Sequence, residues 1–228
     1  MKAVVLSSGG VDSTTCLTAA LIENPASNVV SVSVNYGQKH DKELKHAEAV
    51  ALHYNVKHYV MDLSYVFEQS NCALLKTSTD EVKHTSYEDQ LSEGKINTYV
   101  PFRNGVMLSC LAAFAMSLFP DEEIELWIGV HKDDAAGRAY ADCSETFIRA
   151  MSGALYEGTY DRVRVRAPFV NSNKADIVRY GLKHNTPYEL TWSCYEGGET
   201  PCGTCGTCRD RIAAFEANGV KDPAMMKE

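Results

Sequence analysis

The feature that most constrains the fold is the opening of the chain. Residues 2–7 are a mostly apolar run, Ser8-Gly9-Gly10-Val11-Asp12-Ser13 follows at once, and Thr14 to Ile22 then has helical spacing. A buried strand that runs into a glycine- and hydroxyl-rich loop and then a helix leaves few architectures open. Glycines let backbone N–H groups approach an anion, hydroxyls add donors, and the helix N-terminus adds partial positive charge. The loop lacks the lysine of a Walker A motif and the spacing of the dinucleotide fingerprint. It predicts a phosphate cradle of another kind, and the plainer alternative is a tight turn capped by Asp12 or Ser13.

The rest of the chain continues the alternation. Val29 to Tyr36, with Val29, Val30, Val32 and Val34, suits a buried strand. Residues 40–54 place Leu44, Ala47, Val50 and Ala51 on one helical face, and Val56 to Leu63 reads as a third strand. Residues 71–97 turn polar without a period and read as a long loop or lid. Helix 105–118, strand 123–130, polar loop 131–142, helix 143–156, strand 163–167 and helix 174–183 follow. Parallel strands need crossover connections, so this order predicts an α/β fold with a doubly wound parallel sheet. Residues 1–190 are expected to form the α/β domain, with 191–228 as a metal-binding segment packed on it.

The cysteines divide into two sets. Of eight in 228 residues, Cys16, Cys72, Cys110 and Cys143 are scattered, whereas Cys194, Cys202, Cys205 and Cys208 fall close together. The chain opens without the pattern of a signal peptide, and no stretch approaches the roughly 18 apolar residues of a membrane span. The expected compartment is the reducing cytoplasm, where clustered thiols serve metals more often than disulfides. Four thiolates in one loop suit a closed tetrahedral structural Zn²⁺ site, with an iron–sulfur cluster as the competitor. A net charge of −8 disfavours nucleic acid as partner and favours a small-molecule substrate.

Ser-Gly-Gly-x-Asp-Ser at the end of the first strand resembles the PP-loop of the ATP pyrophosphatase superfamily. Further motifs narrow this. Asn35-Tyr36-Gly37-Gln38, Val100-Pro101 with Arg103-Asn104, Tyr140 with Asp142-Cys143, Asn173-Lys174-Ala175-Asp176, and Thr191-Trp192-Ser193-Cys194-Tyr195 leading into the cysteine triplet together resemble the 7-cyano-7-deazaguanine synthase family, from about Val4 to Arg211. The resemblance implies an ATP-dependent ligase that converts 7-carboxy-7-deazaguanine and ammonia to the nitrile 7-cyano-7-deazaguanine, a queuosine precursor. It places ATP, with Mg²⁺, on Ser7, Ser8, Gly9, Gly10, Val11, Asp12, Ser13, Thr14, Thr15, Cys16 and Leu17. It places zinc on Cys194, Cys202, Cys205 and Cys208, and it implies a homodimer.

Asp12, Ser13, Arg103 and Lys174 are the expected catalytic set, with Arg103 and Lys174 neutralising developing anionic charge. Tyr36, Gln38, Arg103, Asn104 and Asp142 are expected at the substrate, Asp142 accepting from the guanine-like edge. With no glutaminase domain in 228 residues, ammonia is expected from solution. Cys143 reads as a buried thiol, since adenylation already supplies a leaving group. A tRNA-thiolating enzyme would need a polyanion-binding surface and a catalytic cysteine pair away from the cluster. Three departures from the family pattern bear on the substrate pocket: Phe102 where glycine is common, Ala141 where proline is common, and a longer loop from His131 to Ala139.

Overall fold

The computed structural model describes residues 1–85, 90, 92 and 96–226, so part of the expected lid, at 86–89, 91 and 93–95, lies outside the described residues. Five strands, β1 (Lys2–Leu6), β2 (Val29–Asn35), β3 (Lys57–Asp62), β4 (Ile124–Trp127) and β5 (Val163–Arg166), form one sheet in the order β3-β2-β1-β4-β5. Every pairing is parallel. Helices bounded within the described residues are α1 (Val11–Glu23), α2 (Lys42–His53), α3 (Ser64–Phe67), α4 (Arg103–Leu118), α5 (Lys132–Ala135), α6 (Glu145–Gly158), α7 (Lys174–Lys183) and α8 (Gly206–Glu216).

The sheet is wound on both faces because successive strand residues point to opposite sides. Ala3, Val5, Val29 and Trp127 pack with Leu17 of α1, Val50 of α2 and Ile177 of α7. Val4, Val30, Val32 and Leu126 pack on the other side with Leu108 and Leu111 of α4 and Ile148 of α6. Strand order reverses between β1 and β4, which opens a crevice at the carboxyl ends of the strands where ligands of such sheets bind.

Several boundaries moved. β4 ends at Trp127; the Ile128 N–H still donates to the Arg166 carbonyl at 2.9 Å, and Ile128, Gly129 and Val130 line the crevice. The helix expected from 143 starts at Glu145, because the Ser144 side chain accepts from the Phe147 N–H as N-cap, and Cys143 lies in a preceding 3-10 turn. The polar loop 131–142 carries α5 and two such turns.

Phe102, at φ 53, starts α4 in the left-handed region. A non-glycine residue there costs about 1–2 kcal/mol. Its ring folds over Gly105, where a Cβ would collide with it, and meets Phe147 edge-on at 5.7 Å. The ring fills the space over Gly105.

The last segment is fastened to the sheet domain by buried polar bonds. Arg211 of α8 donates to Asp222 through Nε at 2.6 Å and through a terminal nitrogen at 2.8 Å, and to the Tyr188 carbonyl at 3.2 Å. Both partners of the ion pair are buried, and the bidentate geometry satisfies their charges. Among the described residues, no helix is long and apolar enough to cross a membrane.

Candidate active site and metal centre

The glycine loop is held by its neighbours. Gly9 has φ 77, and a Cβ there would collide with the Glu43 carbonyl and sit 2.7 Å from the Ala47 nitrogen, so the first turns of α2 rest directly on the loop. Gly9→Ala is therefore expected to destabilise the protein by about 3 kcal/mol, through positive φ and overpacking together, as read by urea unfolding. The Ser8 N–H donates to Ser13 Oγ at 3.1 Å, the two hydroxyls lie 3.0 Å apart, and Ser13 Oγ donates to the Gly10 carbonyl at 3.3 Å. Gly10 is the N-cap of α1 and no side chain caps it, so the capped-turn alternative is not what forms. The first turn of α1 presents its free N–H donors and positive end to the crevice.

A charged cluster stands beside this turn. Lys174 opens α7, whose start is fixed by a capping box between Asn173 and Asp176, and its Nζ lies 2.7 Å from Asp12 Oδ2. Burial pushes the Asp12 carboxyl up, but Lys174 and then His131 outweigh it and hold the carboxyl below its ordinary value. Burial likewise pushes Lys174 down, and Asp12 and Asp134 outweigh it, leaving the ammonium above its ordinary value. His131 is buried, with Nε2 3.4 Å from Asp134 Oδ2 and 3.7 Å from Asp12 Oδ2. The cluster therefore keeps the Lys174 ammonium charged beside the glycine loop.

The opposite wall is built from the ends of β2 and α4. The Arg103 guanidinium lies over the Tyr36 ring, 5.2 Å from its centre. Burial pulls its pKa down, yet Tyr36 and Tyr195 outweigh that and raise it, so Arg103 is a permanent cation in the crevice. Gln38 Oε1 accepts from the Tyr36 N–H at 2.8 Å. Asn104 donates its N–H to Asp142 Oδ2 at 2.9 Å and its Nδ2 to the Asp142 carbonyl at 3.2 Å and to Cys143 Sγ at 3.3 Å.

Ser7, Ser8, Gly10, Asp12, Ser13, Tyr36, Gln38, Arg103, Asn104 and Lys174 thus line one cavity of about 210 Å³. Others from the expected set do not. Asp142 is buried behind the wall, its carboxylate occupied by the N-terminus of α4. Thr14, Thr15, Cys16 and Leu17 are buried in the core, where Thr15 Oγ1 bonds the Tyr188 hydroxyl at 2.8 Å. Cys143 reaches the cavity wall, but burial and then the carboxylates of Asp134 and Asp142 push its thiol up, which disfavours the thiolate form.

Sequence reasoning missed Glu43, Asp134, Asp210 and His131. Asp134 and His131 sit in a loop read only as polar, and Asp210 lies two residues beyond the last cysteine of the cluster, which was the one available signal.

Cys194, Cys202, Cys205 and Cys208 bring their four sulfurs within 4.8 Å of one another, with no disulfide among them. Tetrahedral Zn–S bonds of about 2.3 Å require sulfurs about 3.8 Å apart, so the set fits with small adjustment. The Cys202 N–H donates to Cys194 Sγ at 3.3 Å, and the N–H groups of Thr204 and Cys205 donate to Cys202 Sγ at 3.4 and 3.3 Å. Such donors stabilise metal-bound thiolates. The cluster also forms a wall of the cavity. Trp192, Ser193, Tyr195, Thr207 and Asp210 come from this segment, and the Trp192 N–H donates to the Gly9 carbonyl at 2.8 Å.

The family described as "Queuosine biosynthesis protein QueC" matches residues 2–219. The chain is similar to the 7-cyano-7-deazaguanine synthase of Archaeoglobus fulgidus, at 43% identity over 100% of this chain and 91% of the relative. It is 42% identical to that of Caldicellulosiruptor bescii, over 98% of this chain and 96% of the relative, and 39% identical to that of Oceanobacillus iheyensis, over 97% and 96%. Agreement of this extent, on a fold whose crevice gathers the matching motifs, shows that the chain belongs to the QueC family of queuosine biosynthesis enzymes.

Proposed function

We propose that the chain converts 7-carboxy-7-deazaguanine and ammonia to 7-cyano-7-deazaguanine at the expense of ATP, in two activations at one site. The observation that carries this is the crevice itself: an uncapped helix N-terminus and the Lys174 ammonium on one side face the Arg103 guanidinium on the other.

In the first activation a substrate carboxylate oxygen attacks a phosphorus of ATP; the P–O bond to the rest of the phosphate chain breaks, that part departs as an anion, and the carboxylate oxygen keeps a phosphate-bearing leaving group. Ammonia adds to the carbonyl carbon, loses a proton, and expels that group to give the amide. In the second, the amide oxygen is activated in the same way, and the amide nitrogen loses its remaining protons as the C–O bond breaks, leaving the nitrile.

Each step moves negative charge onto phosphate oxygens. The N–H groups of the loop and α1 bind that charge, and Lys174 stabilises its growth at a preset position, which is where preorganised cations act most strongly. Asp12 orients Lys174 through Oδ2, and its buried Oδ1 has no hydrogen-bond partner. Mg²⁺ arriving with ATP would find an acceptor there. Arg103 suits the substrate carboxylate, since its planar fork matches that group. Zn²⁺ would be held by Cys194, Cys202, Cys205 and Cys208, where a closed four-thiolate site shapes the wall.

Incubation of the purified protein with ATP, ammonium and 7-carboxy-7-deazaguanine is expected to yield the nitrile by mass spectrometry. Intact carboxylate alongside an active control enzyme would refute the reading.

A further inference from the structure

Two polar groups on the cavity wall, the Glu43 carboxylate and the Gln38 Nε2, have no hydrogen-bond or ion-pair partner among the described residues. Glu43, half-buried in the first turn of α2, lines the cavity near Tyr36, Gln38 and Arg103, and its carboxylate makes no hydrogen bond or ion pair among the described residues. Gln38 is 5% exposed, and its Oε1 accepts the Tyr36 N–H. That bond fixes the orientation of the amide and leaves Nε2 as a buried donor without an acceptor. Leaving a buried donor unsatisfied costs about 1–3 kcal/mol, so such a group calls for a ligand to complete it.

The two groups match a guanine-type edge. That edge presents a ring carbonyl, which accepts, next to a ring N–H and an exocyclic amine, which both donate. Gln38 Nε2 supplies the donor for the carbonyl, and the two carboxylate oxygens of Glu43 supply acceptors for the adjacent N–H groups. An adenine edge would set a ring-nitrogen lone pair against the carboxylate, so the same pair separates the deazapurine from the base of ATP. The alternative acceptor, Asp142, is already bonded to Asn104 behind the wall.

Resting on the substrate reading above, we infer that Glu43 and Gln38 determine specificity by binding the guanine-like edge, Glu43 taking the ring N–H and exocyclic amine and Gln38 the ring carbonyl. The seating of α2 on Gly9 fixes the place of Glu43 relative to the glycine loop, so edge recognition places the 7-carboxylate for attack. Burial pushes the free Glu43 carboxyl up to about 7, with Arg103 working against it. Two N–H donors from a bound ligand favour the ionised form.

The test compares 7-carboxy-7-deazaguanine with the analogue lacking the exocyclic amine, in the wild-type protein and in Glu43→Gln. Glutamine keeps the shape of the side chain, and no bond of the fold is lost. Wild type is expected to prefer the amino-bearing substrate by about a hundredfold or more in kcat/KM. Glu43→Gln should shrink that preference below about tenfold, chiefly through a higher KM for the amino-bearing substrate, with the KM for ATP within about twofold of wild type.

Retention of the full preference in Glu43→Gln, or a fall in kcat with KM and preference intact, overturns the inference alone. Equal use of both compounds by the unmutated protein overturns it without recourse to any variant. No nitrile from wild type removes the substrate reading and the inference together.

Discussion

Lys174→Met is expected to lower kcat for nitrile formation by about a hundred- to a thousandfold, the loss seen when one preorganised charge-stabilising donor is removed. The KM for ATP should change less, because the loop N–H groups and the α1 terminus still hold the phosphates. The same substitution takes away the counter-charge 2.7 Å from Asp12, so stability should fall as well. A double variant separates the two effects. Asp12→Asn with Lys174→Met should recover the lost stability, since no unpaired carboxylate remains, without recovering turnover. A double variant that regains both would make Lys174 a structural partner of Asp12 and nothing more.

Cys205→Ala is expected to bring bound zinc to background and to lower Tm by about 10–20 °C, because metal affinity in closed thiolate sites is folding free energy. Turnover should vanish with it. Trp192, Tyr195, Thr207 and Asp210 would lose the scaffold that sets them against the cavity. Metal analysis, a thermal melt and the nitrile assay on one preparation test all three consequences. A metal-free variant with unchanged Tm would contradict a structural role.

The outline of the fold was legible where local chemistry decides local structure. α7 begins at Lys174 as expected, because the capping box of Asn173 and Asp176 needs no distant partner. β2 follows from its valines, and the cysteine cluster from spacing alone. Other features depend on which loops the fold brings together. Gly129 and Val130 look like the end of a strand, yet β5, whose last bond to this edge is the Arg166 carbonyl accepting from the Ile128 N–H, gives them no partner strand there. Asp142 has the right chemistry for a guanine edge, and only the packing of its 3-10 turn against α4 commits it to Asn104. His131 falls on a polar stretch without a periodic signal, and Glu43 on the polar side of a helix whose period marks only its apolar face, so their places beside Asp12 and at the crevice emerge only when β4 and α2 are laid beside the loop.

The hydrogen bond from Trp192 to the Gly9 carbonyl joins the ninth residue of the chain to a segment made almost two hundred residues later. During synthesis, the phosphate loop emerges from the ribosome long before the wall that closes over it. A nascent chain with its sheet already assembled would still have an open crevice, since Tyr195, Thr207 and Asp210 had yet to arrive. The cavity is thereby completed only once the segment that carries Tyr195, Thr207 and Asp210 has been made, and a product truncated before it lacks one wall of the crevice.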